Sequence, residues 1–422
     1  MSPVKSGRVF ITLAGIASAA GNDYESFSMS ISSLKSGIRE LSRINTAKLK
    51  TKIGGECGTA SLLESIGYNS ITAPGMAEKL NLSENPKLLF ALHAIGSIIK
   101  SGAFAKLSLG GVRLFTGAGL EEISVPALRC AAGGGSVCAE PPSAFLGELI
   151  SGYYGYGQPP ATLVSACSAS TMAIGEAFKN IRAGALDAAV AGGADSMLSE
   201  FSINAFNSIG ALSEENGDPR GAVRPFDKSR AGTILGEGAA YFLIESERSI
   251  EKSGNAPVAE IAGYGSSMDA HNPVQPDPAG RGASLAMARA LKDAGMAGDE
   301  IDYINAHGTA THHNDIAETL AIKNVFKRRS GGLVVSSTKP YFGHLVSAAG
   351  AIELASILYA FATDMIPPTL NLKEAAEGCD LNYAPGAGVK KRIGAAMKNS
   401  FGLNGQNASL VIKRCGAPNQ TN

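Results

Sequence analysis

An α/β protein made of two similar layered halves is what this sequence predicts, on three observations. Short apolar or β-branched runs alternate with segments of helical spacing. The alternation restarts near residue 256. Glycine is abundant, 51 of 422 residues, without a three-residue period. Alternation with short connections predicts mostly parallel sheets covered by helices, and glycine at that level marks tight turns and close backbone approaches. The expected halves are 1–255 and 256–422.

In chain order, RVFITLAG supplies a first strand over 8–14, and a helix follows near 25–37. The stretch 40–155 is rich in Gly and Ser, has no strong period and yields no ordered assignment. ATLVSA (161–166) is a short apolar strand. CSASTMAIGEAFKNIRAG (167–184) has helical spacing, with Met172, Ile174, Ala177, Phe178 and Ile181 for a buried face and Gly184 as a stop. Residues 187–193 form another strand, and GAAYFLIES (238–246) closes the first half. The second half repeats the scheme: strand 257–265, helix 284–295, strand 301–306, helix 317–326, strand 333–337, helix 345–361 and a last strand 408–413. In such folds functional groups gather at the C-terminal ends of strands.

Lys plus Arg and Asp plus Glu both number 37, so the formal net charge is zero. Nothing global points to nucleic acid or an anionic membrane surface. The most apolar stretch noted, 88–99, contains His93 and Gly96 and is too short to span a bilayer. The apolar N-terminus reads as a strand and not as a signal peptide. Six scattered cysteines (Cys57, Cys130, Cys138, Cys167, Cys379 and Cys415) show no CxxC pair, which predicts free thiols and a cytoplasmic protein.

Three strand ends carry reactive side chains. Cys167 follows ATLVSA and opens a helix, where free N–H groups favour a thiolate and lower the thiol pKa. A buried core cysteine fits the same place equally well. His307 lies in INAHGTAT, with Gly308 for a tight turn and the hydroxyls of Thr309 and Thr311 beyond it. His344 lies in STKPYFGHLVSAAG before a helix, where the positive dipole end favours neutral imidazole. Singly, each histidine suits a satisfied core position; three such strand ends together point to a catalytic centre. His312 and His313, with His307, Asn314 and Asp315, raise a metal site, but adjacent histidines on a helix point apart and no ligand spacing is complete, so no metal is expected. FTGAGLEE and CAAGGGSVC lack the residues of a dinucleotide or P-loop fingerprint.

At these sites the chain resembles the β-ketoacyl-acyl-carrier-protein synthases of the thiolase-like fold, in their elongating His-His-Cys branch. The matching pieces are VSACSAS, INAHGTAT, STKPYFGH, NSFGLNGQNASLVI and RPFDKSRAGTILGEGAA (224–240), spanning residues 6–40 and 160–415. The resemblance implies two βαβαβ halves in an α-β-α-β-α stack. It implies that Cys167 takes an acyl group from a carrier protein, and that His307 and His344 stabilise the enolate formed when a malonyl-carrier loses carbon dioxide. It places the oxyanion hole at the backbone N–H groups of Cys167 and Phe401, with Phe401 also a gate. Lys339 and Glu353 match an ion pair beside the histidines, and Thr309 and Thr311 match contacts to the phosphopantetheine arm. That arm arrives on the acyl carrier protein, so the enzyme itself needs no cofactor. A homodimer, or a heterodimer with a related subunit, is expected.

The sequence departs from the family in places. FGLNGQN replaces FGFGGTN, and His312, His313 and Asn314 stand where Pro and Gly are usual, which predicts stiffened or reshaped substrate loops. GALSEENGD (210–218) carries Gly210, Glu214 and Glu215 where an Arg for carrier docking is common. Arg39, Arg43, Lys48, Lys50 and Lys52 are alternative basic candidates, or an ordinary solvated face. Residues 55–160 match poorly. These departures favour polyketide or polyene assembly over housekeeping fatty-acid synthesis. Rival readings are an acyltransferase that passes the Cys-bound acyl group to an amine or alcohol, and a chain-length partner in a ketosynthase heterodimer.

Overall fold

The computed structural model describes residues 7–65, 82, 85–119, 145–327 and 332–416, and ten of the strands join in one sheet. On one side lie β1 (Val9–Ser18), β2 (Arg113–Gly117), β3 (Ala161–Leu163), β4 (Ala188–Ser196) and β5 (Glu237–Ser246). On the other lie β6 (Ala259–Met268), β7 (Tyr303–Asn305), β8 (Val334–Ser336), β9 (Ala395–Phe401) and β10 (Gln406–Arg414). The order is β3-β2-β4-β5-β1 followed by β6-β10-β9-β7-β8, so each five-strand set is the other's mirror in sequence order. Among the described residues, strands of the two sets pair only where Val9–Ile11 meets Ala259–Ile261.

The sheet is mixed, and the expectation of mostly parallel pairing is corrected. β2–β3, β2–β4, β7–β8 and β7–β9 are parallel, whereas β1–β5, β4–β5, β6–β10, β9–β10 and β1–β6 are antiparallel. The reason is local for β9 and β10. Only residues 402–405 join them, and a parallel pair needs a crossover of a dozen or more residues.

Helices lie between and outside the two sets. α1 (Pro86–Lys100) covers β1, β4 and β5. α2 (Ala169–Arg182) and α5 (Ala349–Thr363) pack on each other, α2 against β2 and β4 and α5 against β9. α3 (Arg281–Ala294) covers β6 and β10, with α4 (His312–Phe326) beside it. The expected α-β-α-β-α layering results. The central helices sit so close that a Cβ on Gly350 would lie 1.9 Å from Thr171 Oγ1. One 18-residue apolar segment, Val346–Thr363, lies mostly within α5, and 89% of it is buried inside the protein as a core element.

The elements α1, β2 and β9 escaped the sequence reading, as did the helices Phe145–Tyr154, Glu200–Ser208 and Glu247–Ser253. The expected 161–166 strand ends at Leu163. The 167–184 helix starts as a 3-10 turn over Ala166–Ser168. The first FTGAGLEE residues belong to β2, while CAAGGGSVC, with Cys130 and Cys138, lies outside the described residues.

Candidate active site

Three turns at strand ends bring the reactive groups together. After β3 the chain turns through Ala166, whose φ of +45° is rare for a residue with a Cβ. This turn sets Cys167 at the head of α2. The counterpart turn in the second half does the same at Val346, φ +42°, just after His344. After β7, Glu318 on α4 accepts from the backbone N–H groups of His307 (2.9 Å) and Gly308 (2.8 Å), and Asp315 accepts from Thr309 N–H (3.1 Å). The His307 turn is thereby fixed to the first turns of α4.

The sulfur of Cys167 lies 3.1 Å from His344 Nε2, and the His307 and His344 rings stand edge to face with centroids 5.3 Å apart. The Phe401 ring closes on His307 at 6.0 Å. Gly402 abuts the Cys167 backbone nitrogen so closely that an added Cβ would sit 3.2 Å from it. Cys167, His307, His344, Phe401, Thr309 and Thr311 all line one cleft of about 280 Å³. The two threonine hydroxyls are 2.8 Å apart.

Lys339 and Glu353 lie behind the cleft, fully buried, paired at 2.6 Å. The Lys339 ammonium donates to the His307 carbonyl and lies 3.4 Å from His307 Nδ1. An ammonium has only protons to offer, so Nδ1 accepts and the imidazole proton is assigned to Nε2. Lys398 on β9 was missed by the sequence reading. Its Nζ is 2.7 Å from Glu353 Oε2, pairing charges without hydrogen-bond geometry. One carboxylate therefore separates two buried ammoniums. No local signal marked Lys398, because its counter-charge, Glu353, comes from another element.

Burial, then the charge of Lys339, holds both imidazoles well below the usual histidine range, so both are neutral. For the thiol the expectation is corrected. Burial pushes Cys167 up to about 11, against the opposing pull of Lys339 and of the Leu403 backbone N–H. Cys167 rests as a thiol beside a neutral base.

Among the described residues, the only grouping of three or more potential metal donors is Cys167, His307 and His344, with ligand atoms within 4.8 Å. His312 and His313 are not part of it. The adjacent Lys339 ammonium opposes a dication there. The departures from the family also take shape. Asn404 adopts φ +63°, a left-handed conformation that Asn tolerates best after glycine, so that replacement keeps the turn. His312, His313 and Asn314 line the mouth of the cleft. Glu214 pairs with Lys50 at 3.0 Å and Glu215 with Arg224, while Arg39 and Arg43 turn toward Glu56 and Glu237.

A buried thiol and two neutral imidazoles at the centre of two mirrored five-strand sets define a thiolase-fold acyl-transferring enzyme. The β-ketoacyl synthase N-terminal domain matches residues 6–249, and the C-terminal domain matches 258–373. The chain belongs to the β-ketoacyl synthase family. It is 32% identical over 434 residues to 3-oxoacyl-[acyl-carrier-protein] synthase 2 of Coxiella burnetii, covering 96% of this chain and 98% of that one. It is 41% identical over 256 residues to the synthase of that name from Synechocystis, spanning 61% of this chain and 62% of the relative. The ishigamide ketosynthase/chain length factor structure superposes with a TM-score of 0.83 at 28% identity, over 97% of this chain and all of that one.

Proposed function

We propose that the chain makes a carbon–carbon bond by decarboxylative Claisen condensation, joining a malonyl unit on an acyl carrier protein to an acyl group held on Cys167. The observation that carries this is the 3.1 Å contact of a buried thiol with a neutral imidazole, beside a second neutral imidazole.

Cys167 attacks the incoming acyl thioester from its contact with His344 Nε2, and the thiol proton passes to the departing pantetheine sulfur. The developing oxyanion faces the backbone N–H groups of Cys167 and Phe401, and the pantetheine thiolate leaves with the proton. Malonyl thioester then enters with its thioester oxygen toward His307 Nε2–H and His344. The C–C bond to the carboxylate breaks, carbon dioxide leaves and the electron pair moves into the enolate. Neutral N–H donors stabilise that oxygen without giving it a proton. The enolate carbon attacks the acyl-Cys167 carbonyl and releases the sulfur. Lys339, with Glu353 behind it, fixes the His307 tautomer. Thr309 and Thr311 hold the phosphopantetheine arm, which the carrier protein brings. Phe401 gates the cleft.

The partner is an acyl carrier protein, as the relatives' name states of them. The assembly is a homodimer or, as in the ishigamide ketosynthase/chain length factor, a pair with a chain-length factor. Fatty-acid-like or polyketide/polyene chains are the products. A cytoplasmic site suits thiols that stay free.

The test is carbon dioxide release and β-ketoacyl product from acyl-carrier plus malonyl-carrier. Wild type converts both, and Cys167→Ala retains no acyl group by intact mass. A Cys167→Ala variant that still condenses removes the proposal. A wild type that leaves malonyl-carrier intact favours transfer to an amine or alcohol.

A further inference from the structure

The segment Gly232–Leu235 runs between the two histidine turns. Gly232 N–H donates to the Ala310 carbonyl at 3.0 Å, three residues beyond His307. The Ile234 carbonyl accepts His344 N–H at 2.7 Å. Thr233 lies between those two anchors. Its own backbone is clamped on the opposite side, its N–H donating to the Ala211 carbonyl (2.9 Å) and its carbonyl accepting Ser213 N–H (2.9 Å). Gly232, at φ +117°, sits so close to Leu212 and Ser213 that a Cβ there would be 2.7 Å from their backbone. The segment has no freedom to relax.

On this rigid support the Thr233 hydroxyl is unpartnered. It is buried, and no hydrogen bond reaches its oxygen among the described residues. Buried hydroxyls are normally satisfied, and an orphan needs a reason. Thr233 lines the same cleft as Cys167, His307 and His344, and at 3% exposed it is as secluded as they are, at 4%, 3% and 3%. The neighbouring wall is apolar or featureless: Phe206, Ile209, Gly210, Ala211 and Ala231. The hydroxyl is the polar group of that wall nearest in sequence to both histidine anchors.

We propose that Thr233 is a substrate-contacting residue whose hydroxyl donates to the carboxylate of the malonyl thioester. This rests on the condensing reading above. With the thioester oxygen on the imidazoles, the carboxylate is two carbons away and needs a donor at the flank of the histidine pair. A neutral hydroxyl suits that place. It orients a charged group without adding a further cation to Lys339 and Lys398. The bond is strongest in the bound reactant. It fades as the C–C electron pair moves to the enolate and neutral carbon dioxide departs, so it contributes to binding and selection more than to the chemical step.

The experiment compares wild type, Thr233→Val and Thr233→Ser with acyl-carrier and malonyl-carrier, reading KM and kcat for each carrier separately. Val keeps the shape and lacks the hydroxyl; Ser keeps the hydroxyl. In Thr233→Val, KM for malonyl-carrier rises about tenfold. Its kcat and the KM for acyl-carrier do not fall in step, and Ser restores the malonyl KM. A malonyl KM unchanged in Thr233→Val overturns the assignment. So does an equal loss for both carriers that Ser fails to rescue, since that marks a packing role. Wild type that never releases carbon dioxide removes the condensing reading itself, and this one with it.

Discussion

Cys167 is 4% exposed, and burial pushes its thiol up to about 11. The thiolate is the nucleophilic form, and its fraction grows about tenfold per pH unit below the thiol pKa. Alkylation by iodoacetamide, followed by intact mass, therefore accelerates from pH 7 to pH 9 without a plateau. A plateau below pH 8 signals a thiolate–imidazolium pair already formed at rest and contradicts the neutral assignment. The two imidazoles lie well below the usual histidine range, so the acyl-transfer rate shows no inflection near pH 6.5 from their protonation. Behind them, Glu353 is the one carboxylate between Lys339 and Lys398. Glu353→Gln removes the carboxylate that pairs with both buried ammoniums, leaving only the charge of Glu318 to act on Lys398. A loss of about 3–5 kcal/mol in urea unfolding is expected; a loss below about 1 kcal/mol shows that the cluster is less charged than drawn.

At the scale of elements, the close approach of α2 and α5 depends on Gly350. An added Cβ meets Thr171 Oγ1 at 1.9 Å and Ser400 Oγ at 3.0 Å. Gly350→Ala costs roughly 1–3 kcal/mol by overpacking, and Thr171→Ala in the same chain recovers part of it, a coupling read from a double-mutant cycle in urea. If the two changes merely add, the helices have room to part. The same elements show what the sequence disclosed. The strands bearing the Cys167, His307 and His344 turns were visible because β3, β7 and β8 are short apolar runs followed by helical spacing. β9 was not, because AAMKNSF puts Lys398 and Asn399 in a fully buried strand. Their burial makes sense only once Glu353 and Ser409, from other elements, are in place. For the same reason Cys167, His307 and His344 were legible as strand-end residues. Glu318, Lys398 and Thr233 were not, since their roles depend on partners distant in the chain.

At the scale of the whole molecule, the ten-strand sheet ends at β3 on one side and β8 on the other. β3 pairs with β2 alone among the described strands and forms that margin of the sheet. It carries none of the usual guards of an edge strand, having no charge, proline or bulge in Ala161–Leu163. Beside it Val164 is 50% exposed and Met268 59%, an apolar margin continuous with Leu163 and Met172. An edge of this kind is suited to pairing with the same edge of a second copy, or with its equivalent in a related subunit. A charge there opposes burial of the strand against a partner. Val164→Asp is therefore expected to shift native mass from dimer to monomer, and a wild-type dimer with a co-expressed relative shows which pairing the cell uses. Val164 precedes the Cys167 turn by three residues, so the monomer is also expected to lose acyl retention on Cys167. A Val164→Asp protein that stays dimeric places the interface elsewhere on the surface.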